Sequence, residues 1–386
     1  MNLFGKSLKD VMLNDLELLI SEKVKESKIV DYKLLLKLDD DKAKVNMLKD
    51  FVAFANAQGG CLIYGIKEVD TYPTEIVGFR LKEYDSLIMQ IQSLANTKIE
   101  PPIFSLHFKQ IPITAKKSVL IIHVPKSWSA LHRVNYQTST FYFRQAGKNQ
   151  SMDVYQIKQS MLMNQTYDKK IHDFIKERKK LILHENIPVN LKDGPKLLLH
   201  VLPIEPFLNN ATYDLMHYFN NPLECPPVSN SSVEKFLNID GVVVTNGNNG
   251  QVHSYVQLFR NAVVEAGDTQ VFNEQNRTIS FEMGDKLMHA LACYLNIFAR
   301  YKISSSLYIA MSMMNAKGYK ILLPESYDTV RAIDRDHIMF DSYVHSGSLS
   351  EVENALRPLF SLFFNTFGVS KNLYYDAKGH FQTSNK

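Results

Sequence analysis

Apolar side chains at Met47, Phe51 and Phe54 recur at i, i+4 and i+7 and so share one helical face. Ala53, Ala55 and Ala57 keep that helix thin and predict a close neighbour. Gly59-Gly60 then stops it, because glycine alone takes a positive φ without a Cβ penalty. Cys61-Leu62-Ile63-Tyr64 follows as a short apolar strand, with the acidic Glu68 and Asp70 just past it. Helix, stop and strand form the spine of a predicted N-terminal domain.

Upstream, Leu8, Val11, Met12, Leu16 and Leu19 mark a short amphipathic helix within residues 1–21. Residues 24–33 read as extended, with Glu26 and Asp31 five positions apart. An odd spacing puts two strand residues on opposite faces, so both reach one site only if a bend, bulge or loop separates them. Downstream, residues 71–80 read as a turn and returning strand, and residues 87–95 as a helix ended by Glu100-Pro101-Pro102. Residues 103–111, 118–124 and 140–147 are predicted strands.

The pattern turns helical over residues 153–183, where Lys169 to Lys180 carries six Lys/Arg against two acids. A solvated linker helix whose lysines complement its dipole accounts for that run as well as a nucleic-acid contact does. Pro188, Gly194 and Pro195 mark a linker. Beyond it, residues 196–203 predict a buried strand and residues 241–259 a hairpin with an Asn-Gly signal. Helices are expected over 282–301 and 350–367, and strands over 306–313 and 319–323. The fold class is α+β (mixed α/β), divided into residues 1–21, 22–152, 153–195 and 196–386.

At 386 residues the chain exceeds the usual single domain, which agrees with that division. Its net charge of +4 permits a nucleic-acid partner without demanding one, so only a local cluster of basic groups would support that reading. Cys61, Cys225 and Cys293 are scattered and lack zinc-ligand spacing, which argues against a structural zinc. With charges where a secretory leader would be apolar, they predict a cytoplasmic protein. No run approaches the roughly 18 apolar residues of a membrane span.

A P-loop is excluded, since Gly147-Lys148 is followed by Asn149 and lacks the preceding glycine. Cys61, inside an apolar strand, reads as packing and not as a nucleophile. Glu26, Asp31, Glu68 and Asp70 offer hard oxygen ligands that suit Mg or Mn in phosphodiester cleavage. Carboxylates beside lysines are, however, usually solvated surface pairs. Lys33 suits a phosphate or a surface salt bridge, and Arg144 and Lys148 suit a nucleic-acid backbone. Arg133 with Trp128 could stack on bases, although Trp128 reads better as a packed loop anchor.

Taken in order, several motifs resemble the Schlafen-like AlbA_2 domain, once labelled a divergent AAA-type ATP-binding domain. They are Glu26-Ser27 with Asp31-Tyr32-Lys33, then Ala53-Phe54-Ala55-Asn56-Ala57-Gln58-Gly59-Gly60, then Leu62-Ile63-Tyr64-Gly65-Ile66-Lys67-Glu68. Ile76-Val77-Gly78, Glu100-Pro101-Pro102, Val119 to Pro125 and Tyr142 to Gly147 continue the series. The resemblance runs from about Glu22 to Met152, a third of the chain. It implies a compact α/β fold that binds nucleic acid. In several Schlafen relatives it also implies a three-carboxylate, metal-dependent centre that cleaves structured RNA such as tRNA.

Carried over, the acids fall on Glu26, Asp31 and Glu68, or Asp70 in place of the last, with Mg or Mn as the implied ion. Lys33, Arg133, Arg144 and Lys148 become the expected phosphate contacts. Asp31 stands where the family usually has Glu, and Glu68 where an Asp is common. The expected function is a nucleic-acid-binding, metal-dependent endoribonuclease acting in anti-phage or stress defence. The alternatives are a non-catalytic DNA- or RNA-binding regulator and a structural subunit that recruits a partner through its C-terminal part. Eukaryotic Schlafens pair two such lobes in one chain, so a single lobe here points to a homodimer.

Overall fold

The computed structural model describes residues 8–382, apart from 82, 104–105, 129, 230–232, 249, 304, 324–329 and 345–348. Residues 1–7 of the expected N-terminal helix lie outside that set. One compact unit runs to Ile171 and a second begins at His172. Helix and strand are mixed in both, an α+β fold.

In the first unit, α1 (Leu13–Ser21), β1 (Val30–Lys33), α2 (Asp41–Ala55) and β2 (Gly60–Tyr64) come first. The hairpin β3 (Ile66–Val69) and β4 (Tyr72–Ile76), helix α3 (Tyr84–Lys98) and strand β5 (Ile99–Glu100) follow. The unit continues with β6 (His107–Pro112), β7 (Ser118–Val124), β8 (Arg133–Asn135), β9 (Ser139–Gln145) and β10 (Lys148–Ser151), and then enters α4 (Val154–Leu183).

Its central sheet has the order β1-β2-β7-β6, parallel between β1 and β2 and antiparallel elsewhere. On one face Val119 and Ile121 of β7 join Val30, Tyr32, Cys61 and Ile63 under Leu16 and Leu19 of α1. On the other, Leu120, Ile122 and Val124 join Leu62 and Tyr64 against Met47, Leu48, Phe51 and Phe54 of α2. Burial on both faces explains the apolar run Val119 to Ile122 within β7. A second sheet has the order β10-β9-β8-β5. Asn56, just past α2, ties into this region: its amide donates to the carbonyls of His132 and Tyr142 and accepts from the His132 N–H, each at 2.8 Å.

The glycine stop is set by crowding as well as by torsion. Gly59 has φ +71°, and a Cβ there would stand 2.7 Å from the Lys126 backbone nitrogen. At Gly60 a Cβ would meet the Phe54 ring at 2.3 Å. The two glycines are therefore closed in by the chain after β7 and by the Phe54 ring.

The second unit is built on a seven-stranded antiparallel sheet. Its strands are β11 (Lys196–Pro203), β12 (Glu234–Leu237), β13 (Gly241–Asn248), β14 (Gln251–Phe259), β15 (Val264–Asp268), β16 (Leu307–Met314) and β17 (His337–Val344). Their order is β12-β13-β14-β15-β11-β16-β17. One face packs apolar side chains against α5 (Met283–Arg300) and α6 (Leu349–Asn365). Within the basic end of α4, Arg178 donates twice to Glu265 of β15 at 2.8 Å, so this cation is turned into the protein. His200 Nε2, at 3.1 Å, and the Tyr255 hydroxyl, donating at 2.9 Å, complete the ring around that carboxylate. Among the described residues, no helix is long and apolar enough to cross a membrane.

Candidate functional site

Alternation along β1 sends Val30 and Tyr32 into the layer beneath α1 and turns Asp31 and Lys33 to the opposite face. Asp31 is 3% exposed. One carboxylate oxygen accepts from Lys33 Nζ at 2.8 Å and the other from Arg144 Nη1 at 3.0 Å. Burial alone would raise this acid, but the Glu26 hydrogen bond and the two cations hold it below the ordinary aspartate value.

Glu26 reaches the same place because it precedes the strand. The Ser27 N–H donates to the Val30 carbonyl, closing a turn, and the Tyr32 N–H donates to Glu26 Oε1 at 3.0 Å. This is the loop that the odd spacing required. Burial, and then the hydrogen bond and charge of Asp31, push the Glu26 carboxyl up to about 8. Of the two neighbouring carboxyls, Glu26 is thus the one driven toward its protonated form and Asp31 the one held ionised.

Arg144 holds the segment in place. Its Nε donates to the Ser27 carbonyl at 2.9 Å and Nη2 to the Val30 carbonyl at 3.2 Å, while the guanidinium lies 4.5 Å over the Phe54 ring. Nη1 is shared with Asn149 Oδ1 at 3.1 Å, and Asn149 in turn donates to Asp50 of α2. Being 3% exposed with its donors engaged, Arg144 faces the interior, where it positions Asp31. Asp50 is also buried. Desolvation and the Asp31 charge raise its carboxyl to about 6, partly offset by Lys33.

The other expected residues lie outside this network. Glu68 is exposed on β3, and its Oε2 accepts from the Thr71 N–H at 2.7 Å. The Thr71 carbonyl accepts from the Glu26 N–H at 2.8 Å, so the hairpin tip adjoins the Glu26 loop through backbone. Asp70 stands at that tip with φ +51°. Lys148 is exposed on β10, pointing away from the buried side of its neighbour Asn149. Arg133 belongs to the second sheet, where Nη2 and Nε meet Glu100 at 2.7 and 3.1 Å and Nη1 meets Ser139 at 3.1 Å. Trp128 packs edge-on to Tyr167, with Lys126 Nζ 3.7 Å from its ring centre, the anchor reading of that residue.

Among the described residues, no group of three or more His, Cys, Asp or Glu side chains is arranged to hold a metal ion. Both Asp31 oxygens already face cations and Glu68 faces a backbone N–H. In this arrangement Glu26, Asp31 and Glu68 do not fit a shared Mg or Mn coordination set. Cys61 is buried and its thiol is pushed up to about 12 by desolvation, as an inert packing residue should be.

Beside the cluster is an open cleft of about 380 Å³ between the end of β1, α2 and β10. Lys33, Lys37 and Lys49 line it, together with Leu35, Met47 and Asp50.

Asp50 and Asn149 were not singled out from sequence, yet each has a signal. Asp50 falls three after Met47 and four before Phe54, a carboxylate inside a buried helical stripe. The Ala146-Gly147 turn, with φ +48° and +82°, makes Asn149 the cross-strand partner of Arg144.

Residues 26–153 match the family model described as Schlafen, AlbA_2. No curated protein matches the chain. Among solved structures, the DIP2311 protein from Corynebacterium diphtheriae is similar at 17% identity, over 37% of this chain and 26% of that one, with a TM-score of 0.26. The chain thus spans about a quarter of that protein's length. The N-terminal domain of a RecG-related protein from Nitrosomonas europaea is similar at 17% identity, over 35% of this chain and 91% of that one, with a TM-score of 0.24.

Proposed function

We propose that residues 26–153 form a nucleic-acid-binding module that meets the phosphate backbone through the lysines beside β1. The observation that carries this reading is positional: the stretch matched to the Schlafen AlbA_2 family contains the residues of the Asp31 cluster and of the lysine-lined cleft. Lysine contacts to phosphate release counterions, so affinity falls as salt rises. Labelled tRNA, single-stranded RNA and duplex DNA titrated with the full chain test it. Binding that weakens steeply above about 50 mM salt is expected, with a slope reduced by about 1 in Lys49→Glu. No binding to any of the three at low salt would overturn the reading.

A second reading, metal-dependent cleavage of structured RNA in defence, is favoured by the contact between Glu26 and Asp31. It requires Glu68 to give up its bond to Thr71 and join the pair. Incubation of total tRNA with the protein and manganese decides it, beside Glu26→Ala and Asp31→Ala. Intact tRNA, or cleavage that neither substitution affects, would remove it.

A further inference from the structure

The cleft beside Asp31 combines two chemistries that a bare phosphate site does not need. Lys33, Lys37 and Lys49 line it, the Lys33 ammonium bound to Asp31 at 2.8 Å and the Lys49 ammonium 5.4 Å from the Tyr142 ring centre, together with the apolar Leu35 and the buried Met47. Leu35 is 52% exposed, and Leu34 next to it is 44% exposed. An exposed leucine beside lysines suits a partner that carries both an apolar face and a negative charge. The one acid inside, Asp50, is tied to Asn149 and faces the charge of Lys33, so the cleft keeps an excess of positive charge.

At about 380 Å³ the space is at the small end of ligand-sized sites, room for a single compact group. A double helix cannot enter it. A base in a duplex would first have to leave its stack, at a cost of a few kcal/mol, whereas a base in a loop or single strand is already free.

We propose that this cleft seats one unpaired nucleotide of a bound strand, its base against Leu35 and its phosphate on Lys37 and Lys49. Asn46, exposed in the same lining, has an amide suited to a base edge. This inference rests on the nucleic-acid reading and gives it a substrate class: unpaired nucleotides, selected by the site over paired ones.

The test uses the full chain and a fluorescent single-stranded RNA. A nucleoside monophosphate, the matching nucleoside and inorganic phosphate are each added as competitors, and the same sequence is offered as a duplex. The monophosphate should displace the RNA at a concentration about tenfold below either fragment, and the duplex should bind more weakly than the single strand. Leu35→Asp and Lys37→Glu, both at exposed positions, should each weaken the monophosphate about tenfold with unchanged melting temperature. RNA binding that the monophosphate does not compete, or that neither variant alters, would overturn the cleft assignment and leave the module's nucleic-acid binding standing. Monophosphate binding without RNA binding would overturn both.

Discussion

Removing the Arg144 guanidinium would leave the Asp31 carboxylate buried with Lys33 as its remaining cation. Breaking a buried, hydrogen-bonded charge pair costs about 3 kcal/mol, so Arg144→Ala should lower the denaturant midpoint accordingly. Asp50 gives a pH signature. Burial raises it from 3.8 to about 6, so the folded chain holds this proton more tightly than the unfolded chain. Its contribution is fully present below pH 3.8 and is lost as pH rises through about 6. Asp50→Asn cannot ionise, so its stability relative to the parent should improve across that window by on the order of 2 kcal/mol. A flat difference between pH 4 and 6.5 in thermal melts would contradict this. Asp31, Lys33 and Arg144 were readable because their order along the chain follows a motif. What they touch was not. Arg144 lies 113 positions from Asp31, and nothing local says whether its guanidinium turns to a carboxylate or to solvent.

Among elements, the turn between α2 and β2 depends most on a single residue type. Gly59→Ala would combine a positive φ with a contact to backbone atoms that cannot move aside. A loss of about 3 kcal/mol is expected, read by chemical denaturation, with α2 and β2 still formed if the chain folds. Helix, glycine stop and strand were legible because periodicity and torsional chemistry are local. The placement of Glu68 was not, since the β3–β4 hairpin is positioned by the Thr71 backbone against the Glu26 loop. That contact depends on tertiary packing, which spacing does not encode. The run Lys169 to Lys180 shows the same limit: charge density was visible, but the partner of Arg178 comes from β15.

For the whole molecule, two compact units predict two calorimetric transitions, each with its own response to acid. Burial would raise Glu265, but Arg178 and His200 hold it down to about 2. Its contribution is present above its ordinary 4.5 and is lost as pH falls toward about 2. Glu265→Gln should lower one transition by on the order of 3 kcal/mol near neutral pH, with the deficit shrinking toward pH 2. A loss that stays constant with pH would show that the carboxylate charge is not what holds that region. Asp50→Asn should move the other transition, with the opposite dependence on acid.

Gly60, finally, has a reach beyond its own turn. The space where its side chain would be is filled by the Phe54 ring and the Ile29 carbonyl of the Glu26 loop, the ring carries the Arg144 guanidinium, and Arg144 holds Asp31. A single methyl group added at residue 60 would therefore be transmitted, through the ring and its cation and through the Ile29 backbone, as an electrical disturbance. Carbon-13 carboxyl spectra of Gly60→Ala would record it as a changed titration of Glu26 and Asp31, two groups the substitution never touches.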